Sequence, residues 1–423
     1  MNPIDCHLRE LLDAAVGEPP RRVTVEAVRR RAARRRAARA GGVSLAVVLA
    51  AGLGAILSAG AIRSGTPPAG STNQHAGPPR YYVAQDWDQK ARKFVLAVRA
   101  TSTGRVTAVI RSPLPGAQCG AGNAGVAAAD SQTFFMTCSA DQSKQAGLAA
   151  GPGKIDSIET LIYRFQVTSS GRITGYWLVR GGVLKGVWAD NIAAAPDSSE
   201  VAAEVLRPGP SGQLYTNTIP EGIFVINTRT GGRALWHTGP YVPGAIQYAG
   251  GTNLSFTRDG SELVVLEARC HRGRYQDFCN GKSDNQVRAY RLSGAGGSLE
   301  GGQVLLQQSA LKPPGTSLFQ AFVSPDGSAV TAVLNICPRH GACTLSVARI
   351  SVATGRVLRV LYQVRTGSAY QGVFDRFFSS DPSGRYLILD AGAGSRRVNG
   401  WIDHRRLVPL VPANGNAANY EAW

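Results

Sequence analysis

The sequence predicts an all-β protein, a six-bladed β-propeller of four-stranded antiparallel blades, preceded by a short helical tail and one transmembrane helix. Two kinds of hairpin turn alternate along most of the chain, an uncharged apolar segment lies near the N-terminus, and six cysteines all follow that segment. In chain order we expect a basic helical cytoplasmic tail (1–40), a transmembrane helix (41–62), a flexible linker (63–80) and an extracytoplasmic propeller (81–423).

The first 40 residues carry a helical pattern. Leu8, Leu11 and Leu12 fall on one stripe of a helix that Pro19 and Pro20 end. A second helix is expected to run through the arginine-rich stretch into the membrane. Because two short helices bury little apolar surface, the tail is predicted to be either disordered or a docking segment for a cytoplasmic partner.

The apolar segment 41–62 has 22 uncharged residues. At about 1.5 Å per residue, a helix of this length spans roughly 33 Å, enough for the hydrocarbon core of a bilayer. The alternatives are a buried helix of a soluble domain and a signal peptide cleaved after Ala61, which would give a secreted form. Anchored or cleaved, the remainder of the chain lies outside the cytoplasm.

Arginines supply most of the net charge of +18, and they crowd the N-terminal side of the apolar segment. Nine of them lie between residues 21 and 39, whereas Arg63 stands alone on the other side. This asymmetry places the N-terminus in the cytoplasm. Nucleic acid could also bind such residues, but basic residues beside a span usually contact anionic headgroups, so we expect a membrane partner and no nucleic acid.

The cysteines divide in the same way. Cys6 falls on the reducing side, and the other six fall outside, where disulfides persist. Fifteen pairings of six cysteines are possible. The simplest joins nearest neighbours, and its residues are Cys119 with Cys138, Cys270 with Cys279, and Cys337 with Cys343. A metal site is the alternative, but no CxxC pair occurs, so we expect no metal and no cofactor.

Two turn types alternate after the Pro/Gly/Ser-rich linker. Turns of the Asp-Gly type fall near residues 130, 197, 259, 326 and 383, and turns of the Thr-Gly type fall near residues 104, 171, 231, 294, 355 and 404. Their alternation every 50 to 65 residues or so describes a four-stranded unit, in which the first type joins strands 1 and 2 and the second joins strands 3 and 4. The first of six units has no clear opening strand. A β-sandwich would not give this alternation.

These turns resemble the WD-like repeats of TolB-type six-bladed propellers. The Ser-Pro-Asp-Gly form is complete at Ser324 to Gly327, and the resemblance covers about residues 81–412. It implies a scaffold for protein or ligand binding and no single chemistry. The tail and span resemble single-pass actinobacterial membrane proteins, including membrane-bound anti-sigma factors. The zinc-binding form of those factors carries a His-x3-Cys-x2-Cys motif, of which only Cys6-His7 occurs here.

Loop lengths separate the two faces of the predicted propeller. The strand 1–2 and 3–4 turns lie on one face, the short-turn face; the strand 2–3 and blade-to-blade loops lie on the other, the long-loop face, with all six extracytoplasmic cysteines. Two cysteine-bounded loops there, CHRGRYQDFC and CPRHGAC, supply the candidate ligand-binding residues Arg272, Arg274, Tyr275, Arg339 and His340. Arginine with aromatic residues suits an anionic or sugar-containing ligand. The alternative is a solvated basic rim.

Catalytic motifs do not occur in the sequence. It lacks G-x-S-x-G, H-E-x-x-H and P-loop patterns, and its six histidines are scattered. We therefore expect a non-catalytic, membrane-anchored propeller that binds a protein or envelope ligand outside the cytoplasm, as a scaffold or a sensor. The alternative is a hydrolase acting on cell-envelope carbohydrate, because a glycosidase needs only two carboxylates across a pocket.

Overall fold

The described part of the chain begins at residue 77. The computed structural model describes residues 77–422, with gaps at 89–92, 114–117, 120–125, 142–157, 209–217, 238–245, 272–283, 293–295, 314–315, 325, 338–341, 366–376, 382–383, 394–395, 404–405 and 411–417. The chain divides into two units, 1–66 and 67–423, and every described residue belongs to the second. The predicted tail and transmembrane helix lie outside the described residues. Among the residues from 77 onward that are described, no helix is both long and apolar enough to cross a bilayer.

Six antiparallel sheets follow one another along the chain, and each is one blade. Blade 1 contains β1 (Tyr81–Asp88), β2 (Lys93–Ala100) and β3 (Val106–Ile110). Blade 2 contains β4 (Gln118–Cys119), β5 (Val126–Ala128), β6 (Thr133–Asp141), β7 (Ile158–Val167) and β8 (Ile173–Lys185). Blade 3 contains β9 (Trp188–Ala194), β10 (Glu200–Pro208), β11 (Thr218–Asn227) and β12 (Arg233–His237).

The second half of the ring repeats the pattern. Blade 4 contains β13 (Ile246–Phe256), β14 (Glu262–His271), β15 (Gln286–Arg291) and β17 (Gln303–Gln307). Blade 5 contains β18 (Thr316–Val323), β19 (Ala329–Ile336), β20 (Thr344–Ser351) and β21 (Val357–Arg365). Blade 6 contains β22 (Phe377–Ser380), β23 (Leu387–Ala393), β24 (Arg396–Asp403) and β25 (Arg406–Pro409). The strand pairing confirms the predicted six-bladed, four-stranded architecture.

The C-terminal strand supplies what blade 1 lacks. Strand β26 (Ala418–Ala422) pairs antiparallel with β1, with Val83 opposite Ala422 and Ala84 opposite Glu421. Blade 1 therefore combines strands from both ends of the propeller and has the order β26-β1-β2-β3. This pairing closes the ring and covers an edge of β1 that would otherwise be open.

The Asp-Gly turns are fixed by their own carboxylates. Asp130 accepts hydrogen bonds from the backbone N–H groups of Gln132 and Thr133, at 2.7 and 2.6 Å. Asp326 accepts a bond of 3.2 Å from the backbone N–H of Ser328. Such bonds explain why aspartate recurs at this point of each blade, because its short side chain reaches the backbone two residues on.

One predicted turn proves to be a longer excursion. The sequence predicts a short glycine turn near residue 294, between strands 3 and 4 of blade 4. The connection contains instead β16 (Gly296–Ser298) and a 3-10 helix (Leu299–Gly301), and β16 pairs in parallel with β12 of blade 3. A Cβ on Gly296 would lie 2.2 Å from the carbonyl oxygen of Leu235, so glycine here permits a close backbone approach.

The apolar cores lie between neighbouring blades. Alternate residues of each strand point to the blade before and the blade after, as the period of two requires. Between blades 1 and 2, for example, Val98 packs with Phe134 and Phe165, whose rings stack at 5.4 Å. Six such clusters of buried residues follow the ring, and they hold the strand ends that carry the loops in fixed positions.

Candidate functional site

Two disulfides brace the long-loop face. Cys119 of β4 is bonded to Cys138 of β6, with 4.1 Å between their Cα atoms. Cys337 and Cys343 close the connection between β19 and β20, with a Cα separation of 4.3 Å. Both match the nearest-neighbour pairing. The third predicted pair includes Cys279, which lies outside the described residues.

The five candidate ligand-binding residues lie outside the described residues as well. Arg272, Arg274 and Tyr275 follow the end of β14, and Arg339 and His340 follow the end of β19. Their two loops join strands 2 and 3 of blades 4 and 5, which are neighbours in the ring. That these side chains converge on one ligand therefore stays a prediction.

A buried asparagine lies beside each of these loops. Asn285 directly precedes β15 and is 8% exposed, and Asn335 lies two residues before Cys337 and is 7% exposed. The amide nitrogen of Asn285 donates to the carbonyl oxygen of Leu318 at 2.6 Å. The Oδ1 atoms of both asparagines are buried and have no hydrogen-bond partner among the described residues.

Unpartnered buried oxygens of this kind are rare, since nearly all buried polar atoms form a hydrogen bond. Each leaves an acceptor position that a loop residue, a water molecule or a ligand can fill. The oxygens of Asn285 and Asn335 lie where the two cysteine-bounded loops meet blades 4 and 5. The pair therefore marks the part of the long-loop face where a hydrogen-bond donor is needed.

Two more buried polar groups lie at the interface between blades 4 and 5. Asn253 Oδ1 and Ser255 Oγ, both on β13, are buried without a partner in the described part of the chain. In the β13–β14 register, Asn253 pairs with Leu266 and Ser255 pairs with Val264. Leu266 and Val264 both belong to the buried cluster that blade 4 shares with blade 5. Amide and hydroxyl groups thus interrupt an otherwise apolar blade interface, on the first strand of blade 4.

Hydrogen bonds of the residues around Asn285 fix its position. Asp284 accepts from the Gln307 amide at 2.5 Å and from the backbone N–H of Ser309 at 3.2 Å. Gln308 Oε1 accepts from the backbone N–H of Leu318 at 3.0 Å. These bonds tie the start of β15 to the connection between blades 4 and 5. The base of the site is consequently preorganised, which lowers the entropic cost of binding.

The buried carboxylates of blades 3 and 4 are engaged inside the protein. Glu204 accepts from the Asn191 amide at 2.7 Å, and Glu267 forms an ion pair with Arg288. Both are almost fully buried, with exposures of 2% and 1%. No cluster of three or more His, Cys, Asp or Glu side chains able to hold a metal ion occurs in the described ranges. At the site itself, the Asn285 and Asn335 amides are neutral, and the Asp284 carboxylate accepts hydrogen bonds from Gln307 and Ser309.

Sequence reasoning selected the loops and missed the asparagines at their bases. A signal was present, because asparagine is depleted in strands and Asn335 interrupts the apolar run of β19. Its burial, however, depends on neighbouring strands and follows from no local pattern.

Comparisons with known proteins found distant similarity to solved structures. No protein-family model matches the sequence, and no curated protein matches it. Hydrazine synthase of Kuenenia stuttgartiensis is 16% identical, with 70% of this chain and 67% of that chain covered and a TM-score of 0.36. The Cps50 (Swd1) β-propeller domain of Myceliophteria thermophila is 8% identical, with 79% and 88% covered and a TM-score of 0.35.

Peptidases also occur among the similar structures. Dipeptidyl peptidase 4 of Porphyromonas gingivalis is 10% identical, with 76% of this chain covered and a TM-score of 0.33. The chain spans only 45% of that peptidase's length. Fold assignment rests on the strand order given above, and no activity passes to this chain from these proteins.

Proposed function

We propose that this protein is a non-catalytic binding propeller of the cell envelope, which recognises an extracytoplasmic ligand through its long-loop face. The observation that carries the proposal is the pair of buried amide oxygens of Asn285 and Asn335, which have no hydrogen-bond partner in the part of the chain that the structure describes and lie at the bases of two cysteine-bounded loops. They supply acceptors at a rigid base, and the sequences of the two loops contain arginines. Hydrogen-bond acceptors combined with cations suit an anionic ligand that carries hydroxyl groups.

The location of the binding event follows from the N-terminal sequence. The uncharged segment 41–62 anchors the chain, and the arginines before it keep the N-terminus in the cytoplasm. The propeller then lies outside, where its disulfides persist. Residues 1–40 are available to a cytoplasmic partner, so occupancy of the propeller can be relayed inward in a sensor role. TolB-type propellers, which the repeats resemble, are scaffolds of the same general kind.

The test is cosedimentation of the full chain with purified cell-wall sacculi that retain their anionic polymers. We expect the protein to sediment with these sacculi and to stay in solution with sacculi stripped of the polymers by acid. Charge reversal at both loops, in the variant Arg272→Glu with Arg339→Glu, is expected to reduce sedimentation strongly, since each arginine is replaced by a residue that repels the polymer.

A matched variant separates the loops from general charge. Arg105→Glu with Arg356→Glu makes the same change of charge at two exposed turns on the short-turn face. It is expected to sediment like the unmodified protein. Equal sedimentation of the loop variant, or equal sedimentation with stripped sacculi, would contradict the proposal.

A further inference from the structure

A concave site lies on the short-turn face of the ring, opposite the long-loop face. A groove of about 650 Å³ separates blades 2 and 3 on the short-turn face. One wall is formed by β6, β7 and β8, and the other by two turns of blade 3, which contribute Ser198 and Arg229. The volume falls within the range of roughly 300 to 1,000 Å³ typical of sites for small ligands.

Arg164 lines this groove at a position where blades 3 to 5 have an apolar residue. The third-strand residues that face the next blade are buried and aliphatic in blades 3 to 5: Ile223 and Val225, Val287 and Ala289, Leu345 and Val347. In blade 2, Ile162 follows this rule, but the next residue on the same side of β7 is Arg164. Its Nε atom is buried and has no hydrogen-bond partner in the described part of the chain. A buried donor without an acceptor is an expected feature of a site that awaits one.

Two further arginines line the groove. Arg180 and Arg229 are both exposed, and an Arg180 Nη1 atom lies 3.5 Å from the carbonyl oxygen of Arg229, at the outer limit of a hydrogen bond. Gly181 and Gly231 bring the two segments this close: a Cβ on Gly181 would lie 2.5 Å from the Gly231 carbonyl oxygen. The contact joins the Arg180 guanidinium to the backbone of Arg229 on the rim.

The two carboxylates of the groove accept hydrogen bonds within their own turns. Asp130 accepts two backbone N–H groups, and Asp197 accepts from the backbone and side chain of Ser199. Burial raises the pKa of Asp197, but the Ser199 bonds and the charge of Arg229 together bring that pKa below its usual value. No ion pair within 4.0 Å joins Arg164, Arg180 or Arg229 to an acid among the described residues. The groove therefore has three arginines against two carboxylates, Asp130 and Asp197, and the charge of Arg229 acts in part on Asp197.

An exposed indole lies beside the arginines. Trp177 stands opposite Arg164 in the β7–β8 register and is 49% exposed. One side of its ring packs over Gly175, where an added Cβ would be 3.1 Å from the indole. Tryptophan rarely exposes so much of its ring, and a free aromatic face beside hydrogen-bonding groups is suited to stacking against the C–H face of a sugar. Gln132 and Gln166 add amides that can bind hydroxyl groups.

We propose that this groove binds the carboxylate-bearing pyranose units of an acidic polysaccharide. The arginines bind the carboxylate, Trp177 stacks on the ring, and the amides bind the hydroxyl groups. A guanidinium group can donate two parallel hydrogen bonds to a carboxylate, so the arginines favour a sugar acid over a neutral sugar. The site is separate from the long-loop face, and its occupancy does not depend on the function proposed above.

The test is isothermal titration calorimetry of the full chain in detergent micelles with trigalacturonate. The neutral trisaccharide maltotriose and a hexaglutamate peptide serve as comparison probes. We expect trigalacturonate to bind at least about tenfold more tightly than maltotriose, and more tightly than hexaglutamate. Arg180→Gln and Arg229→Gln, at exposed positions that tolerate substitution, are each expected to raise Kd by about tenfold. Trp177→Ala is expected to raise it by about threefold to tenfold.

Two controls distinguish this site from others. Arg356→Gln removes an exposed arginine from an equivalent turn of blade 5 and is expected to leave Kd unchanged. Arg272→Glu with Arg339→Glu alters the long-loop face and is also expected to leave it unchanged, so failure of one site is told apart from failure of the other. The proposal is overturned if trigalacturonate binds no more tightly than either comparison probe, or if both groove arginine variants keep Kd within about twofold.

Discussion

Arg288 and Glu267 form a buried ion pair between adjacent strands of blade 4, with 3.3 Å between Nε and Oε2. The side chains are 10% and 1% exposed. Arg288 also donates to the carbonyl oxygens of Glu300 and Gly302, at 2.9 and 3.0 Å. Tyr290 hydrogen-bonds to the same glutamate, and its hydroxyl lies 2.6 Å from the carbonyl oxygen of Leu299. This cluster therefore holds the excursion whose strand β16 extends blade 3.

Replacing Arg288 with methionine is expected to lower the free energy of unfolding by about 3 to 5 kcal/mol. The change leaves the Glu267 carboxylate buried and bonded to Tyr290 but without the compensating charge of Arg288, and removing one charge is the costly way to break a buried ion pair. Urea denaturation measures the loss. Arg291→Met is the matched control, because Arg291 is 85% exposed in its pair with Glu262, and its loss is expected to stay below about 1 kcal/mol. Equal losses for the two variants would contradict this account of the cluster.

Replacing Ser198 with glycine is expected to raise the free energy of unfolding by about 0.5 to 1 kcal/mol. Ser198 has a φ of 59°, and among described residues other than glycine it alone has a positive φ. Gly260 and Gly327 occupy the same position after Asp259 and Asp326, where the left-handed conformation costs glycine nothing.

The reverse exchange is the control for that prediction. Gly327→Ser has open space around the new side chain, so its cost is conformational alone, about 1 kcal/mol. Chemical denaturation of both variants measures the pair of effects. If Ser198→Gly lowers the free energy of unfolding, the side chain of Ser198, a residue that lines the groove, stabilises the fold by more than its left-handed backbone conformation destabilises it.

Deleting residues 411–423 is expected to open the ring. The deletion removes β26 and leaves β1 as an unpaired edge beside blade 6. Since each lost backbone hydrogen bond contributes roughly 1 kcal/mol, we expect a loss of about 3 kcal/mol or more, together with association through the exposed edge. Thermal unfolding and size-exclusion chromatography measure the two effects. An unchanged unfolding midpoint with unchanged elution would show that closure does not depend on this strand.

The Asp326 turn predicts a specific response to acid. Hydrogen bonds from Ser324 and then Ser328 lower the pKa of Asp326 from 3.8 to about 2. Because the folded-state pKa is depressed, the ionised carboxylate stabilises the fold above pH 4 or so, and this contribution is lost as pH falls toward about 2. The side chain is 63% exposed, so solvent screening keeps the effect below about 1 kcal/mol.

The measurement is the difference in unfolding free energy between the unmodified protein and Asp326→Asn. We expect the unmodified protein to be the more stable at pH 7 and the difference to vanish near pH 2. A difference that stays constant across this interval would show that the carboxylate is not held in its ionised form by the turn.

The turn chemistry made the blades predictable from sequence, because each aspartate or glycine acts within a few residues of itself. Strand β26 escaped prediction since its short sequence ANYEA has no clear alternation, and its pairing with β1 joins distant parts of the chain. The glycines near residue 296 were misassigned for a related reason: a glycine that permits close approach to another blade looks locally like a glycine in a turn.

The candidate sites were less predictable than the fold. The loops with Arg272 and Arg339 were selected from composition and cysteine spacing, and these are local features. Asn285 donates its hydrogen bond to Leu318 of the next blade, and the groove around Arg164 is formed by two blades that come together only in the folded ring. Properties that arise between blades do not follow from the pattern of any one of them.

The central claim is that the propeller binds an envelope polymer and does not cleave it. The most direct measurement incubates the full chain with solubilised anionic cell-wall polymer and follows both complex formation and the release of reducing ends over time. We predict a saturable complex, with reducing ends released no faster than in a sample without protein. Release that rises with protein concentration and is saturable in polymer would contradict the claim and assign the protein to the hydrolases.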